Sequence, residues 1–467
     1  MSVIVVRNSE IGGVGGLDLR VHGTRITRIG IDLPASDAVE VIDAGGGAVI
    51  PGLHDHHLHL HATAADAASV RCGPPAVRDR RALAAALATA TGDEHGWVRG
   101  VGYFDSVAGD VDATALDALH GDRPVRIQHR SGALWILNSM GLRAAGITGA
   151  TPHPGVERDA TGEPTGRIWR ADSWLRDRLP QARPPRLHAL GATMARWGIT
   201  GVTDATPDLA PRAQEALLDA VATGELPQRL YLLGAPLNAT APQSDSRVGL
   251  GPYKIVIADS GLPSLETLVG GIREAHGHGR AVAVHCVSRE SLLLPVAALD
   301  EAGSRPGDRI EHGALVPVES IADVRRHGLR VVTQPGFLRA RGDDYVRHVD
   351  PVDLPDLYRC RSLLDASVPL ALSSDAPYGP IDPWAIVEAA VNRTTATGTV
   401  VNSDERVAAA AALRGYLGSP ACPGGAPRRV RVGAPADLVV LRVPLDRALC
   451  APSADHVRAT VVHGQLW

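Results

Sequence analysis

Aromatic side chains are scarce in this chain, with 2 Phe, 7 Tyr and 7 Trp making up 3% of 467 residues. A core of normal size must then be filled by Val, Leu, Ile and Ala, which an apolar fraction of 45% can supply. Long apolar runs are missing too. The longest, such as 292–299 with Pro295 inside it, fall well short of the ~18 residues that a membrane helix needs. The opening Met1-Ser2-Val3-Ile4-Val5-Val6-Arg7 has no basic segment followed by a long apolar core, so no signal peptide is expected. There are no blocks of one charge. The net charge is −4 and the charges are scattered, which argues against nucleic acid or an anionic membrane as partner. Five cysteines (Cys72, Cys286, Cys360, Cys422 and Cys450) are odd in number, far apart and form no Cys-x-x-Cys, so a disulfide framework is excluded. Together these features predict a soluble protein with free thiols in a reducing, cytoplasmic compartment.

The sharpest scarcity is lysine. Of 47 basic residues, one is lysine, Lys254, and the rest are arginine. A general coding bias toward arginine explains the majority. It does not explain why one position stayed lysine.

Histidine, by contrast, is concentrated. Five of the 19 histidines (His54, His56, His57, His59 and His61) fall within eight positions, where even spreading would give fewer than one. The apolar Ala48-Val49-Ile50 lies just upstream, which suits a buried strand running into the cluster. Side chains two apart on a strand share a face, so alternating histidines can aim two imidazoles at one ion. That phase puts Asp55, His57 and His59 on one face, with His54 and His56 on the other, toward the outer wall. His61 shares the inward phase but is expected in the loop beyond. A solvated or engineered histidine tract would sit at a terminus rather than behind an apolar strand.

Length allows ~2–4 average domains, although an α/β barrel can use 250 or more residues as one. Residues 1–48 read as short strands (3–6, 17–21, 25–29 and 39–42) with a turn at His22-Gly23, and 428–467 read alike. A small β-sandwich built from both termini is expected. Between them, buried strands alternate with Ala-rich amphipathic stretches, the pattern of βα units. Eight strand candidates (48–53, 199–204, 229–233, 253–258, 281–285, 309–311, 330–333 and 368–373) predict an α/β fold of (β/α)8 TIM-barrel type over 49–427. The gap after the first strand is too long for a loop and predicts an inserted subdomain over 65–185. That segment holds Trp97, Trp135, Trp169 and Trp174, which read first as the subdomain's own core and second as substrate contacts. No internal repeat or low-complexity tract is present.

Polar residues end most of these strands: Asp55, His57 and His59 on the first, Lys254 on the fourth, His285 on the fifth. Glu311-His312 end the sixth and Ser374-Asp375 the eighth. Singly, each has a plainer reading. His285 could be a hydrogen-bonded core histidine, Asp375 a turn or cap residue, and Lys254 a side chain snorkelling to solvent. Their coincidence at one barrel mouth carries the inference. Imidazole and carboxylate at that mouth suit zinc and similar divalent ions.

Asp55-x-His57-x-His59, Lys254, His285, His312 and Ser374-Asp375 together resemble the amidohydrolase superfamily. Pro51-Gly52 before the histidine pair, the split terminal β domain and 433–438 fit the resemblance. Asn138-Ser139, the run 162–166 and Ile310-Glu311-His312 are similar to its long-insert branch, which includes N-substituted formamide deformylases. The resemblance covers nearly the whole chain. One site departs from it: Gly132-Ala133 stands where that branch often has Gly-His.

The resemblance implies a metal site with His57 and His59 on one ion and His285 and His312 on a second. Asp375 would ligate the first ion and carry the proton, and Lys254 would bridge both after carboxylation by CO2. A lysine carbamate offers two oxygen donors, and a guanidinium cannot form one. A one-ion site with unmodified Lys254 is the alternative. The expected cofactor is a divalent metal, zinc above others. The expected activity is hydrolysis of a non-peptide C–N bond (amide, formamide, cyclic imide or urea) in a small molecule by metal-activated water. Ester or lactone hydrolysis, lyase or isomerase chemistry on the same site, and a non-catalytic binding relative are the alternatives, in that order. Tyr378, Trp384, Arg339 and His61 are expected near substrate, being in or beside strand-end loops. Nothing in the residues decides between a monomer and a homo-oligomer.

Overall fold

Among the described residues, nine short parallel strands, rich in Val, Ile, Leu and Ala, form two sheets in the middle of the chain. The computed structural model describes residues 2–74, 76–180, 184–240, 245–257 and 261–467. One sheet has the order β4-β3-β2-β1, with β1 at Leu53–Leu58, β2 at Ile199–Asp204, β3 at Arg229–Leu232 and β4 at Val248–Leu250. The other runs β5 to β9, through Tyr253–Ile255, Val282–Cys286, Arg309–His312, Arg330–Thr333 and Leu370–Leu372. Helices such as Leu265–Gly277 and Arg289–Ala302 separate the strands, and the first buries Leu268, Val269, Ile272 and Ala275. The fold is mixed α/β.

Val248–Leu250, which was not among the eight expected strands, makes the ninth segment, and a switch of hydrogen-bond partner separates it from Tyr253–Ile255. Gly251 N–H bonds Leu232 O at 2.8 Å, and by alternation the next donor due on that side is Tyr253, just past Pro252. Beyond it, Tyr253 N–H turns to Ala281 O at 2.6 Å and Lys254 N–H to Leu233 O at 3.3 Å. The fourth expected strand thus begins at Tyr253, while its last position, Ala258, lies outside the described residues. At the other margin, Asp375 N–H bonds His57 O at 2.8 Å and His59 N–H bonds Ala376 O at 2.9 Å. These bonds join β1 to the segment leaving β9.

The expected first strand, 48–53, is divided by Gly52. Val49–Pro51 pairs antiparallel with Leu438–Leu441, and β1 starts only at Leu53. A Cβ on Gly52 would lie 2.2 Å from the Thr200 side chain, so only glycine permits this approach of β1 to β2. Val49–Pro51 completes a four-stranded sheet with Leu438–Leu441, Val457–Val462 and Gln465–Leu466. A second such sheet comes from Val3–Ile11, Val14–His22, Arg25–Gly30 and Glu40–Asp43. Ile4, Val6, Leu19 and Val21 from the N-terminal sheet share one core cluster with Leu438, Val440 and Val461 from the C-terminal one.

Two compact units result: Met1–Thr63 with Arg186–Trp467, and Ala64–Pro185. The second unit is organised on a six-stranded sheet from Val70–Arg71 to Pro164–Trp169. Trp97 and Trp135 are buried in its core with Trp174 packed beside them, whereas Trp169 is exposed. All five cysteines are free thiols. Among the described residues, no helix is long and apolar enough to cross a membrane.

Candidate metal centre

β1 sets the geometry. His57 is fully buried and His59 keeps 15% of its side chain exposed, their rings 5.4 Å apart on one face. His54 and His56 form the other pair, with rings 4.7 Å apart. Asp375 comes from the segment after β9. Its Oδ1 stands 3.3 Å from His59 Nε2 and 3.6 Å from His57 Nε2, and its Oδ2 is 3.7 Å from His312 Nδ1. His57, His312 and Asp375 each present a ligand atom, and these atoms lie within 4.8 Å of one another.

Two residues with left-handed backbone make that convergence possible. Along an extended strand, Glu311 and His312 would face opposite ways. His312 instead has φ +71°, in the left-handed region where residues other than glycine are uncommon, and it ends β7 there. Glu311 therefore reaches His57 Nδ1 while the His312 ring sits 4.7 Å from the His57 ring and 4.5 Å from that of His285. Asp375 also has a left-handed backbone, φ +52°. Such strain persists only where surrounding structure enforces it, and it concentrates at functional sites.

Three polar atoms in this group, His57 Nε2, Asp375 Oδ1 and Lys254 Nζ, are buried and have no hydrogen-bond partner among the described residues. Buried polar atoms are seldom left so. Lys254 is 4% exposed, and burial lowers its pKa even though Glu311 and Asp375 act to raise it. Burial, then the charge of Lys254, holds His57 well below the ordinary histidine value and pushes His285 down to about 4. Burial, then His57 and His285, does the same to His312. Neutral imidazole is the ligand form, so the residues present fit a divalent cation.

The histidines are held from behind by residues to which the sequence reading gave no role. Glu311, fully buried, accepts from His57 Nδ1 and is itself gripped by Arg309 Nε. Gln334 Oε1 accepts from His312 Nδ1 at 3.0 Å, and Gln334 Nε2 donates to Ser373 Oγ at 2.9 Å. Protons on both Nδ1 atoms leave the Nε2 lone pairs free, the usual arrangement behind metal-bound histidine. Thr206 Oγ1 lies 3.3 Å from His59 Nδ1. Asp55 Oδ1 accepts the N–H groups of His57 and Ser374, tying β1 to the Asp375 segment, while burial raises the Asp55 pKa to about 7. The spacing of Arg309 and Glu311, two apart on one strand, was the available signal.

Of the residues expected near substrate, Tyr378 alone touches the cluster: 39% exposed, its ring meets that of His59 edge-on at 5.8 Å. His61 lies in the helix Leu60–Ala67 rather than a loop, with Nε2 3.2 Å from Ala213 O. Arg339 is exposed on the helix Gly336–His348 and donates to Thr395 O at 2.9 Å. Trp384 is corrected outright. It is fully buried in the first turn of the helix Pro383–Asn392, and its indole N–H reaches Trp197 O at 3.1 Å, at the approach to β2. His54 Nε2 is 2.8 Å from Thr203 Oγ1, against the neighbouring strand.

The amidohydrolase family model matches residues 40–467 of the chain. The chain is 27% identical over 510 residues to an N-substituted formamide deformylase of Arthrobacter pascens, covering 96% of this chain and 94% of that one. Its fold is similar to an uncharacterized metal-dependent hydrolase from Pyrococcus horikoshii OT3, with TM-score 0.73, 20% identity, and 89% and 92% of the two chains covered. It is also similar to atrazine chlorohydrolase TrzN from Arthrobacter aurescens TC1 complexed with zinc, with TM-score 0.56, 15% identity, and 99% and 94% covered. At these identities the two structures bear on the fold alone.

Proposed function

The chain belongs to the amidohydrolase family, and on that premise we propose that it is a metal-dependent hydrolase cleaving a non-peptide C–N bond in a small molecule. One observation carries the reading: His57 Nε2, Asp375 Oδ1 and Lys254 Nζ are buried without a hydrogen-bond partner among the described residues, beside His312. Each such atom left unmatched costs about 1–3 kcal/mol, a cost that a bound cation would remove for the imidazole nitrogen and the carboxylate oxygen, and for Lys254 once it is carboxylated. In this reading His57, His59 and Asp375 would hold one divalent ion, zinc before others, and His285 and His312 a second, with Lys254, once carboxylated, as a ligand shared by both. Metal bound there supplies Lewis-acid polarisation of a carbonyl and lowers the pKa of water.

The protein's own residues do the rest. Asp375 takes a proton from the attacking water on a carboxylate oxygen and delivers it to the departing nitrogen. Glu311 and Gln334 fix the His57 and His312 rings, and Tyr378 borders the space beside His59 that substrate enters. The two parallel sheets form one closed (β/α)8 barrel, 65–185 is its inserted subdomain, and 1–48 with 428–467 form the terminal β-sandwich. The first substrate class to test is the N-substituted formamide, because the deformylase relative matches along 96% of this chain. A one-ion site is the second reading, favoured by the fact that, among the described residues, His57, His312 and Asp375 form the tight ligand group.

The test is metal content per chain with hydrolysis measured before and after chelation, on formamides, cyclic imides, ureas and esters, in oxygen-18 water. Metal-dependent release of a labelled carboxylate supports the proposal. Full activity in metal-free protein, or product without the label, overturns it.

A further inference from the structure

A cavity of about 440 Å³ opens at the N-terminal ends of β1, β2 and β3, away from the strand ends that carry His57 and Asp375. Four arginines line it, Arg229, Arg428, Arg429 and Arg431, against one acidic residue, Asp437. Asp437 is already committed. Its Oδ2 takes Arg229 Nε at 2.6 Å and its Oδ1 takes the His463 N–H at 2.7 Å. Arg428 donates only to backbone carbonyls, at 2.6 Å to Gly52, 3.2 Å to Leu417 and 3.3 Å to Tyr416, and burial pushes its pKa down to about 10. Arg429 and Arg431 are exposed, and their side chains make no hydrogen bond or ion pair among the described residues. Once Arg229 and Asp437 are paired off, three positive charges face one cavity with no acid to balance them.

Self-repulsion of that kind persists where a counter-anion collects. We propose that this cavity binds a small, multiply charged phosphate-type oxyanion. Guanidinium forks match phosphoryl oxygens in pairs, and a single carboxylate could neutralise only one of the three charges. The remaining lining, four prolines with Ala434 and Leu438 beside His54, Thr200 and Gly201, suits a modest organic body attached to the phosphoryl group. The volume falls in the range of small-ligand sites. Because the cavity wall includes Pro51 and His54 and not the metal cluster, this site is separate from the hydrolytic one.

The experiment uses the metal-loaded full chain with pyrophosphate and inorganic phosphate as probes, in calorimetric titrations and thermal melts at constant ionic strength. Saturable pyrophosphate binding is expected, with sodium chloride giving no matching rise in melting temperature. In the double variant Arg429→Ala/Arg431→Ala, affinity should fall by about tenfold or more, since each lost charged hydrogen bond is worth roughly that factor. Metal content and hydrolase activity should stay at parent levels in that variant, and Arg429→Lys/Arg431→Lys should bind between the two. Absence of saturable binding overturns the proposal. So does unchanged affinity in the double alanine variant, which would locate the anion elsewhere, for instance on the metal.

Discussion

Replacing Glu311 by glutamine keeps the side-chain volume and removes the charge that joins His57 to Arg309. In the parent, the carboxylate accepts from His57 Nδ1 with one oxygen and from Arg309 Nε with the other, and all three side chains are fully buried. An amide has one acceptor oxygen. It can satisfy the imidazole or the guanidinium, and it must then present NH2 to the other donor. If the imidazole loses, the His57 tautomer and ring angle are no longer fixed, and partners of this kind are worth about 10–100-fold in metal affinity. That factor corresponds to about 1.4–2.8 kcal/mol. If the guanidinium loses, Arg309 is left a buried cation whose other contact is His56 O at 3.4 Å, a situation that costs up to about 3–5 kcal/mol of stability. Two assays separate the branches: competitive chelator titration of the metal, and urea melts of the metal-free protein. At least one must move. Metal affinity within about twofold of parent together with an unchanged melt would refute the account of Glu311 as the brace of His57.

Lys254→Arg keeps the charge but cannot form a carbamate, so bound metal should fall by at least about tenfold, read by elemental analysis and by loss of a carbon-13 carbamate signal after bicarbonate labelling; parent metal content and rate would exclude the bridging role. Gly52→Ala should cost about 1–3 kcal/mol through overpacking against Thr200, and Thr200→Ala should recover part of it, so additive losses in a double-mutant cycle of melts would count against the close approach of β1 and β2. Burial disfavours an ionised Glu405, but Ser362 and Arg359 outweigh it and hold the carboxyl below its ordinary pKa. The depressed pKa means stability that is present above the unfolded-state value and lost as pH falls through the folded one. The stability gap between parent and Glu405→Gln should thus be flat from neutral pH to about 5 and shrink below about 4.3, the ordinary glutamate pKa; a gap independent of pH would contradict it.

The His54/His56 and His57/His59 pairs were legible because side-chain alternation is local, whereas the irregularity in the pairing with β2 between Asp55 and Leu58 was not. Nor was sheet membership. The apolar Ala48-Val49-Ile50 is equally well buried in a parallel strand or a terminal sheet, and the choice falls to Leu438–Leu441, distant in sequence. Glu311 was visible as a residue and not as a brace, because its role depends on His312 adopting a left-handed backbone that no pattern of apolar residues encodes. Trp384 was misplaced for a different reason. Asp382-Pro383 is a cap followed by a first-turn proline, which marks a helix start, and the aromatic behind it belongs to that helix's buried face. Reading it as a loop residue overlooked a signal the sequence contained.

The single lysine can be argued from burial alone. A guanidinium at position 254 would stay charged at any accessible pH and would bring five N–H donors to a place where even Nζ has no acceptor among the described residues. Lysine avoids that conflict because it can lose its proton. Burial lowers its pKa and Arg309 adds to that, while Glu311, Asp375 and Cys286 oppose the shift. A neutral amine is the nucleophile that CO2 requires, and carboxylation as proposed would turn the side chain into an anion beside His57, His285 and His312. The same burial that would penalise arginine here prepares lysine for that change, which is why a chain so strongly biased toward arginine would retain its exception at this position.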